Sequence, residues 1–314
     1  MAVEDQPRLV ALGDLLLDVM VAPERPIEQG TDVPGRVAFR RGGSAANTAA
    51  AFVRVGGAAS LITSLGSDDW ASRLAASLGA DGVRVHAARR SGMSGRLAAL
   101  IDERGERSFV TQRGAADALS PADIKAAWLR GADVLHVPAY SLFAEPIDAA
   151  AVHAATLAHQ VGALVSCDLS SQGPLLAYGV RRSQARIAEL LPDILFANRE
   201  EAAALLQKKG RRAWAGLLGH APLVVVKDGA WGCRVLWHEP QADAVRQLDV
   251  AARRVAQVDS TGAGDAFAAG FLFSMLRAGG RASLHDPAMR RAALAGHRAA
   301  ADVLTRGRPD LTLG

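Results

Sequence analysis

The stretch Asp259-Ser260-Thr261-Gly262-Ala263-Gly264-Asp265-Ala266-Phe267 sets two glycines and a carboxylate where a loop gives way to an Ala/Phe/Leu-rich helical pattern that ends at Gly279-Gly280. Glycines at a helix start leave backbone N–H groups exposed. Those donors and the helix macrodipole suit an anion, and the missing side chains let a phosphate come close to the backbone. A carboxylate at the same point would repel a bound phosphate, so Asp265 is read as a base. Phosphoryl transfer to an alcohol requires a group to take up the hydroxyl proton and donors to stabilise charge on the moving phosphoryl group. Asp265 could do the first, and the amides of Gly262, Ala263 and Gly264 the second. On spacing alone, an acidic residue that merely complements a helix dipole fits equally well.

Such a loop needs rigid elements behind it. Apolar, β-branched runs recur at Arg8–Val21, Val134–Pro138, Ala163–Asp168, Ile194–Ala197 and Leu223–Lys227, separated by Ala/Leu-rich helical patterns. This alternation predicts an α/β chain with a mostly parallel sheet covered by helices, because parallel strands need crossover connections. The 314 residues are half apolar with 5% aromatics, so the interior is built mainly from Ala, Val and Leu. A single domain over 1–314 is expected. A helix is predicted after Ser44, stopping near Gly56-Gly57. Another is predicted from Ser120, a cap followed by Pro121 and Asp123. Residues 22–41, rich in Pro, Gly and charge, and 92–113, two short strands around a polar Asp102–Arg107 turn, break the rhythm and are read as a small β-lid; a surface hairpin without a role is the alternative.

The formal charge is +4, with 36 basic residues scattered among 32 acidic ones, which gives no electrostatic footprint for nucleic acid. Pairs such as Arg40-Arg41, Arg211-Arg212 and Arg253-Arg254 are expected on solvated faces. Cys167 and Cys233 lie in apolar runs and form no disulfide framework. No apolar run approaches the ~18 residues of a membrane span, so a cytoplasmic protein is expected. His86, His136, His238 and His297 lack metal-ligand spacing.

The loop Asp259-x-x-Gly262-Ala263-Gly264-Asp265 resembles the C-terminal signature of the ribokinase-like, or PfkB, carbohydrate kinases. Arg41-Gly42-Gly43-Ser44-Ala45-Ala46-Asn47-Thr48-Ala49 resembles that family's N-terminal glycine-rich signature, more than 200 residues earlier. Gly13-Asp14 through Asp18 resembles the first strand, whose end carries a substrate-binding acid. Asn198-x-x-Glu201 resembles the magnesium-associated Asn-x-x-Glu motif, and Lys227-Asp228-Gly229-Ala230-Trp231-Gly232 the nucleotide loop. The resemblance runs from about Leu9 to beyond Phe273.

It implies a ribokinase-like three-layer α/β/α fold with a small β-sheet lid, and ATP-dependent transfer to the hydroxymethyl group of a sugar, or alternatively of a nucleoside. It implies that Gly42 and Gly43 lie against the substrate, that Asn47 bonds its hydroxyls, and that Asp18 or Asp14 accepts hydroxyl protons. ATP falls to Lys227, Gly229, Gly232, Gly262 and Gly264, although a strand-terminal lysine is more often an exposed solubilising charge. Asn198 and Glu201 are assigned to Mg²⁺ through water, against a plain helix-cap reading of the same pair. A K⁺ ion near Asp259 and a homodimer through the lid complete the expectation.

Asp168-Leu169-Ser170 stands where many relatives have Asp-x-Asn, and Pro138-Ala139-Tyr140 replaces a frequent Gly-Tyr, both at strand ends where α/β proteins build ligand crevices. These departures bear on the acceptor. A dehydrogenase is disfavoured, because Gly262-Ala263-Gly264 runs straight into Asp265 instead of following a first strand, and a Walker-type G-x-x-x-x-G-K-[ST] is absent. A non-catalytic binder on the same fold would have no need of Asp265.

Overall fold

In the computed structural model, residues 6–102, 107–239, 244–256, 260–306 and 309–311 are described. The apolar runs form a nine-stranded sheet. Its strands β1 (Arg8–Leu12), β4 (Ala58–Leu65), β5 (Arg84–Arg89), β8 (Val134–Pro138), β9 (Leu164–Asp168), β10 (Ile194–Asn198) and β11 (Leu223–Lys227) are parallel, and β12 (Cys233–His238) and β13 (Val245–Val250) add an antiparallel edge, in the order β13-β12-β11-β10-β9-β8-β1-β4-β5. A second sheet of four strands, ordered β3-β2-β6-β7, contains β2 (Leu16–Pro23), β3 (Gly35–Gly42), β6 (Arg96–Ile101) and β7 (Arg107–Gln112).

Strand alternation splits the interior into two cores. Leu9, Ala11, Ile194, Phe196, Leu223 and Val225 point to one face, and Val10, Leu12, Leu195, Ala197, Val224 and Val226 to the other. Helices α1 (Ser44–Arg54), α2 (Asp69–Ala80), α7 (Ala263–Arg277) and α8 (Asp286–Arg306) cover the first face. The second is covered by α3 (Ile147–Gln160), α4 (Gln172–Tyr178), α5 (Val180–Leu190) and α6 (Arg199–Leu206). The result is a three-layer α/β/α arrangement with a separate small sheet, as the resemblance implies. The shortage of aromatics has a direct use here: a Cβ on Gly270 would lie 2.6 Å from the Ala295 carbonyl and one on Gly296 2.9 Å from the Phe267 carbonyl, so α7 and α8 pack almost backbone to backbone.

Two expectations are corrected. The apolar run 8–21 is two strands in different sheets, broken at Gly13 (φ 153°), where a side chain would press on Ser141 Oγ at 2.8 Å. The helix expected from Ser120 is a three-residue 3₁₀ turn, Pro121–Asp123. Its capping box forms, with Ser120 N–H donating to Asp123 Oδ2 at 2.8 Å, but Arg90 also binds that carboxylate and Ile124 turns extended to reach the core. Local capping chemistry is overridden by what lies one residue further on. The helix from Ser44 forms and ends at Arg54, just before Gly56-Gly57.

At Gly43 the chain turns from the small sheet into α1 with φ 103°, and a Cβ there would lie 2.3 Å from the Asp14 carbonyl oxygen. Backbone on both sides leaves nothing to yield. Gly43→Ala is expected to cost at least about 2 kcal/mol of unfolding free energy from strain and overlap together. Urea denaturation measures it, and an unchanged midpoint would contradict this close approach.

Candidate active site

The C-terminal ends of β1, β8, β9, β10 and β11 open into one cleft of about 820 Å³, roofed by Leu97, Phe109 and Thr111 of the small sheet. Parallel strands bring their ends to one edge, and the loops that leave them carry the side chains. Asp14, Asp18, Asn47, Asp168, Glu201, Lys227 and Asp265 all line this cleft, so residues spread over most of the chain meet in one place.

Helices α1 and α7 start here side by side. Gly262, in the left-handed conformation (φ 82°), ends the preceding loop and caps α7, and the Asn47 side chain lies against it at ordinary contact distance. The Asp265 carboxylate, in the first turn of α7, accepts hydrogen bonds from Ser44 Oγ at 2.7 Å and Asn47 Nδ2 at 2.9 Å. Burial among protein groups pushes the Asp265 carboxyl up to about 6, while the two bonds pull the other way. Asn47 thus holds Asp265, a contact not expected from sequence, and its amide oxygen is uncommitted by that bond.

Lys227 is not an exposed strand-end charge. It is largely buried, its ammonium donates to Asp168 Oδ2 at 2.5 Å, and it lies 3.3 Å from where a Gly264 Cβ would be. Burial works to lower the Lys227 ammonium, and the Asp168 and Glu201 carboxylates overcome it and hold it above its usual value. Asp168 itself is fixed by its own turn: Ser170 N–H donates to Asp168 Oδ1 at 3.1 Å, and Ser170, with φ 61°, donates its hydroxyl to the Asp168 carbonyl at 2.9 Å. The departure at Asp168-Leu169-Ser170 is therefore a tight turn that aims a carboxylate at the lysine.

Asn198 and Glu201 form a complete capping box on α6. Asn198 Oδ1 accepts from the Glu201 N–H at 2.8 Å, and Glu201 accepts from the Asn198 backbone and side-chain nitrogens at 2.7 Å each. Glu201 is 3% exposed. Burial drives its carboxyl well above the usual carboxylate range, against the pull of Lys227. Among the described residues, no group of three or more His, Cys, Asp or Glu side chains could enclose a metal directly.

The acids at the other end of the cleft are equally anchored. Asp14 pairs with Arg113 at 3.1 Å, Arg113 also holds Asp117 at 2.6 Å, and its guanidinium stands over the Tyr140 ring at 5.6 Å. Asp18 sits against Gly42, where any Cβ would overlap its carboxylate. Arg113 was not singled out from the sequence, and Asp168 only as part of the departure at Asp168-Leu169-Ser170, with no partner assigned to it. Their only signals were a charged residue closing the second lid segment and an acid at a strand end.

A second cavity, about 550 Å³, adjoins the cleft at Lys227, Gly229 and Gly264 and runs between Ala252, Val255, Phe267, His297 and Leu304. Gly232 (φ 101°) borders it, and a Cβ there would meet the Val250 carbonyl at 2.0 Å. Asp259 lies outside the described residues. Cys167 and Cys233 are free and buried, and no helix among the described residues is long and apolar enough to cross a membrane.

The sequence pattern of the pfkB family carbohydrate kinases matches residues 6–311. An ATP-dependent ribose-1-phosphate kinase of Halopiger xanaduensis is 33% identical over 276 residues, 87% of this chain and 86% of that protein. An adenosine kinase from Sinorhizobium meliloti has a similar structure, with TM-score 0.83 at 25% identity over 97% of this chain and 96% of that one. A putative ribokinase II from E. coli, in complex with ATP and Mg²⁺, has TM-score 0.78 at 24% identity over 96% and 94% of the two chains. With the match running through both glycine signatures and the strand ends between them, this chain belongs to the pfkB family of carbohydrate kinases, phosphotransferases that act on a sugar hydroxyl.

Proposed function

We propose that this protein transfers the γ-phosphoryl group of ATP to the hydroxymethyl group of a ribose-type sugar, with Asp265 as the general base. The observation that carries this reading is the Asp265 carboxylate, fixed by Ser44 and Asn47 beneath the glycine turn and open to the cleft. A base acts only from a defined position and with a pKa near the working pH, and both conditions fit a held carboxyl raised to about 6. The acceptor hydroxyl would give its proton to Asp265 as its oxygen attacks phosphorus. The amides at the start of α7 and the Lys227 ammonium beside Gly264 would face the charge on the transferring group.

Asp14, Asp18 and Asn47 would bind the sugar hydroxyls, and the narrower cavity bordered by Gly229, Gly232 and Phe267 would take the adenine end of ATP. The cleft wall carries Asp14, Asp18, Asp168, Glu200, Glu201, Asp228 and Asp265 against Lys227 and Arg199, so a nucleotide's phosphates would meet a strongly acidic surface. Their entry therefore calls for Mg²⁺, which prefers oxygen ligands and keeps several waters. Glu201, backed by Asn198, would hold it through water, and the ion would supply charge neutralisation on the phosphates. Closure of the small sheet over the acceptor would exclude water as a competing nucleophile. The exposed Val37 and Val110, which the strand register places on the face of that sheet turned away from the cleft, offer an apolar patch for a second subunit.

ADP release from Mg-ATP, measured against ribose, ribose 1-phosphate, fructose, adenosine and cytidine, tests the proposal. One pentose-type acceptor should stimulate turnover, and Asp265→Asn should lower kcat about a hundredfold or more while KM for ATP holds. Near-normal turnover in that variant would remove Asp265 as the base, and a rate stimulated by adenosine or cytidine alone would move the acceptor to nucleosides.

Because burial raises the Asp265 carboxyl to about 6, the base is ionised above that pH and protonated below it. kcat/KM for the acceptor should be flat near neutrality and fall roughly tenfold per unit below that pKa. A profile still flat at pH 5 would contradict the assignment.

Glu201→Gln should raise the Mg²⁺ concentration for half-maximal rate by about tenfold. Asn198→Ala should in addition lower stability by about 1 kcal/mol, the usual worth of an N-cap. An unchanged Mg²⁺ requirement in Glu201→Gln would leave the pair as a helix cap only.

A further inference from the structure

Away from the cleft, helices α1, α7 and α8 enclose a groove of about 740 Å³. Small residues, among them Ala51, Gly270 and Ala299, line it together with Val55 and Phe273, and α7 and α8 pack closely at Gly270. Four arginines from three helices stand on its rim: Arg54 in the last turn of α1, Arg277 in the last turn of α7, and Arg298 and Arg306 on α8. No residue is shared with the catalytic cleft or the adjoining cavity. From Asp265 to Arg277 the helix rises about 18 Å.

The charge on this rim is balanced only in part, by the negative ends of the α1 and α7 dipoles beside Arg54 and Arg277. Where other arginines converge, a carboxylate lies between them: Asp310 joins Arg36 and Arg40, and Asp249 joins Arg211 and Arg234. In the groove only Asp302 is present, paired with Arg306 at 2.7 Å. Among the described residues, Arg54, Arg277 and Arg298 have no hydrogen-bond or ion-pair partner. Like charges around a concave, low-dielectric floor reinforce one another's potential, and guanidinium forks match phosphate oxygens in pairs.

We propose that this groove binds an oligophosphate chain. Four arginines on three helices around one groove offer more N–H donors than the oxygens of a single phosphate can accept, so several linked anionic groups use them better. The chain could be the tail of a nucleoside triphosphate or a free inorganic oligophosphate. Bound there, it would tie together the far ends of α1 and α7, whose near ends hold Ser44, Asn47 and Asp265. Arg54 also borders a 120 Å³ cavity that reaches Asn47 and Gly262, so the groove and the base share neighbours.

Calorimetric titration of inorganic tripolyphosphate into the full chain, with saturating Mg-ADP present, provides the test. One tripolyphosphate per chain should bind. Its affinity should fall at least tenfold in R54A/R298A and stay unchanged in R290A/R291A, which removes two arginines of α8 outside the groove. Unfolding midpoints of both variants are compared, so that loss of fold is not scored as loss of binding. ATP competing more tightly than tripolyphosphate would name the nucleotide as the source, and weaker competition a free oligophosphate. No binding, or equal effects of the two double variants, would overturn the proposal.

Discussion

One carboxylate shared between two helices organises the catalytic cleft. Asp265 belongs to α7, and both hydrogen bonds it accepts come from the first turn of α1. A carboxylate removed from water loses hydration that only charge or hydrogen bonds restore. Here two neutral donors and the dipole of its own helix do so in part, which leaves the acid weaker than in water yet ionised at neutral pH. A direct cation would have made it a poor base, and an apolar wall would have kept it protonated. The two glycine signatures, far apart in sequence, are therefore the two halves of one contact. Gly43 lets α1 start against Asp14, and Gly262 supplies the left-handed turn from which α7 starts.

The same reasoning accounts for the ion pair beside it. Lys227 stands at the end of a buried central strand, where an unpaired ammonium would be costly, and Asp168 from two strands away neutralises it. The pair is preorganised, since the Asp168 turn is locked by Ser170 on both its carboxylate and its carbonyl. With Glu201 and Asp265 nearby, the lysine faces three carboxylates at once. That excess of negative charge gives the proposed Mg²⁺ requirement a physical cause independent of any metal cage.

Much of this was legible in the sequence. The alternating apolar runs declared the parallel sheet, because buried strands must be continuously apolar, and the glycine-rich turns declared the helix starts. What could not be read depended on tertiary partners. Ser120-Pro121-Ala122-Asp123 carries every local mark of a helix start, yet Arg90 and the pull of Ile124 into the core decide otherwise. The run 8–21 hides a change of sheet at Gly13, since both halves are apolar. Lys227 could be read either as an ATP contact or as a surface charge, because the sequence does not show that Asp168 ends a strand two places away in the same sheet. Arg113 was invisible for the same reason: its importance lies in holding Asp14 and covering Tyr140, neither of which is near it in the chain.

The Asn198–Glu201 pair shows why a cap and a metal-binding role need not compete. Each Glu201 oxygen accepts one hydrogen bond from Asn198, one from its backbone and one from its side chain. A carboxylate has about four acceptor sites, so half remain for water or a hydrated cation. The bonds already made fix the orientation of the group, and burial raises its energy until a cation or proton arrives. A free surface glutamate would have to be ordered by the metal itself. A capped one is held in place by the fold, and the cap that starts α6 is thereby the device that would aim a ligand into the cleft.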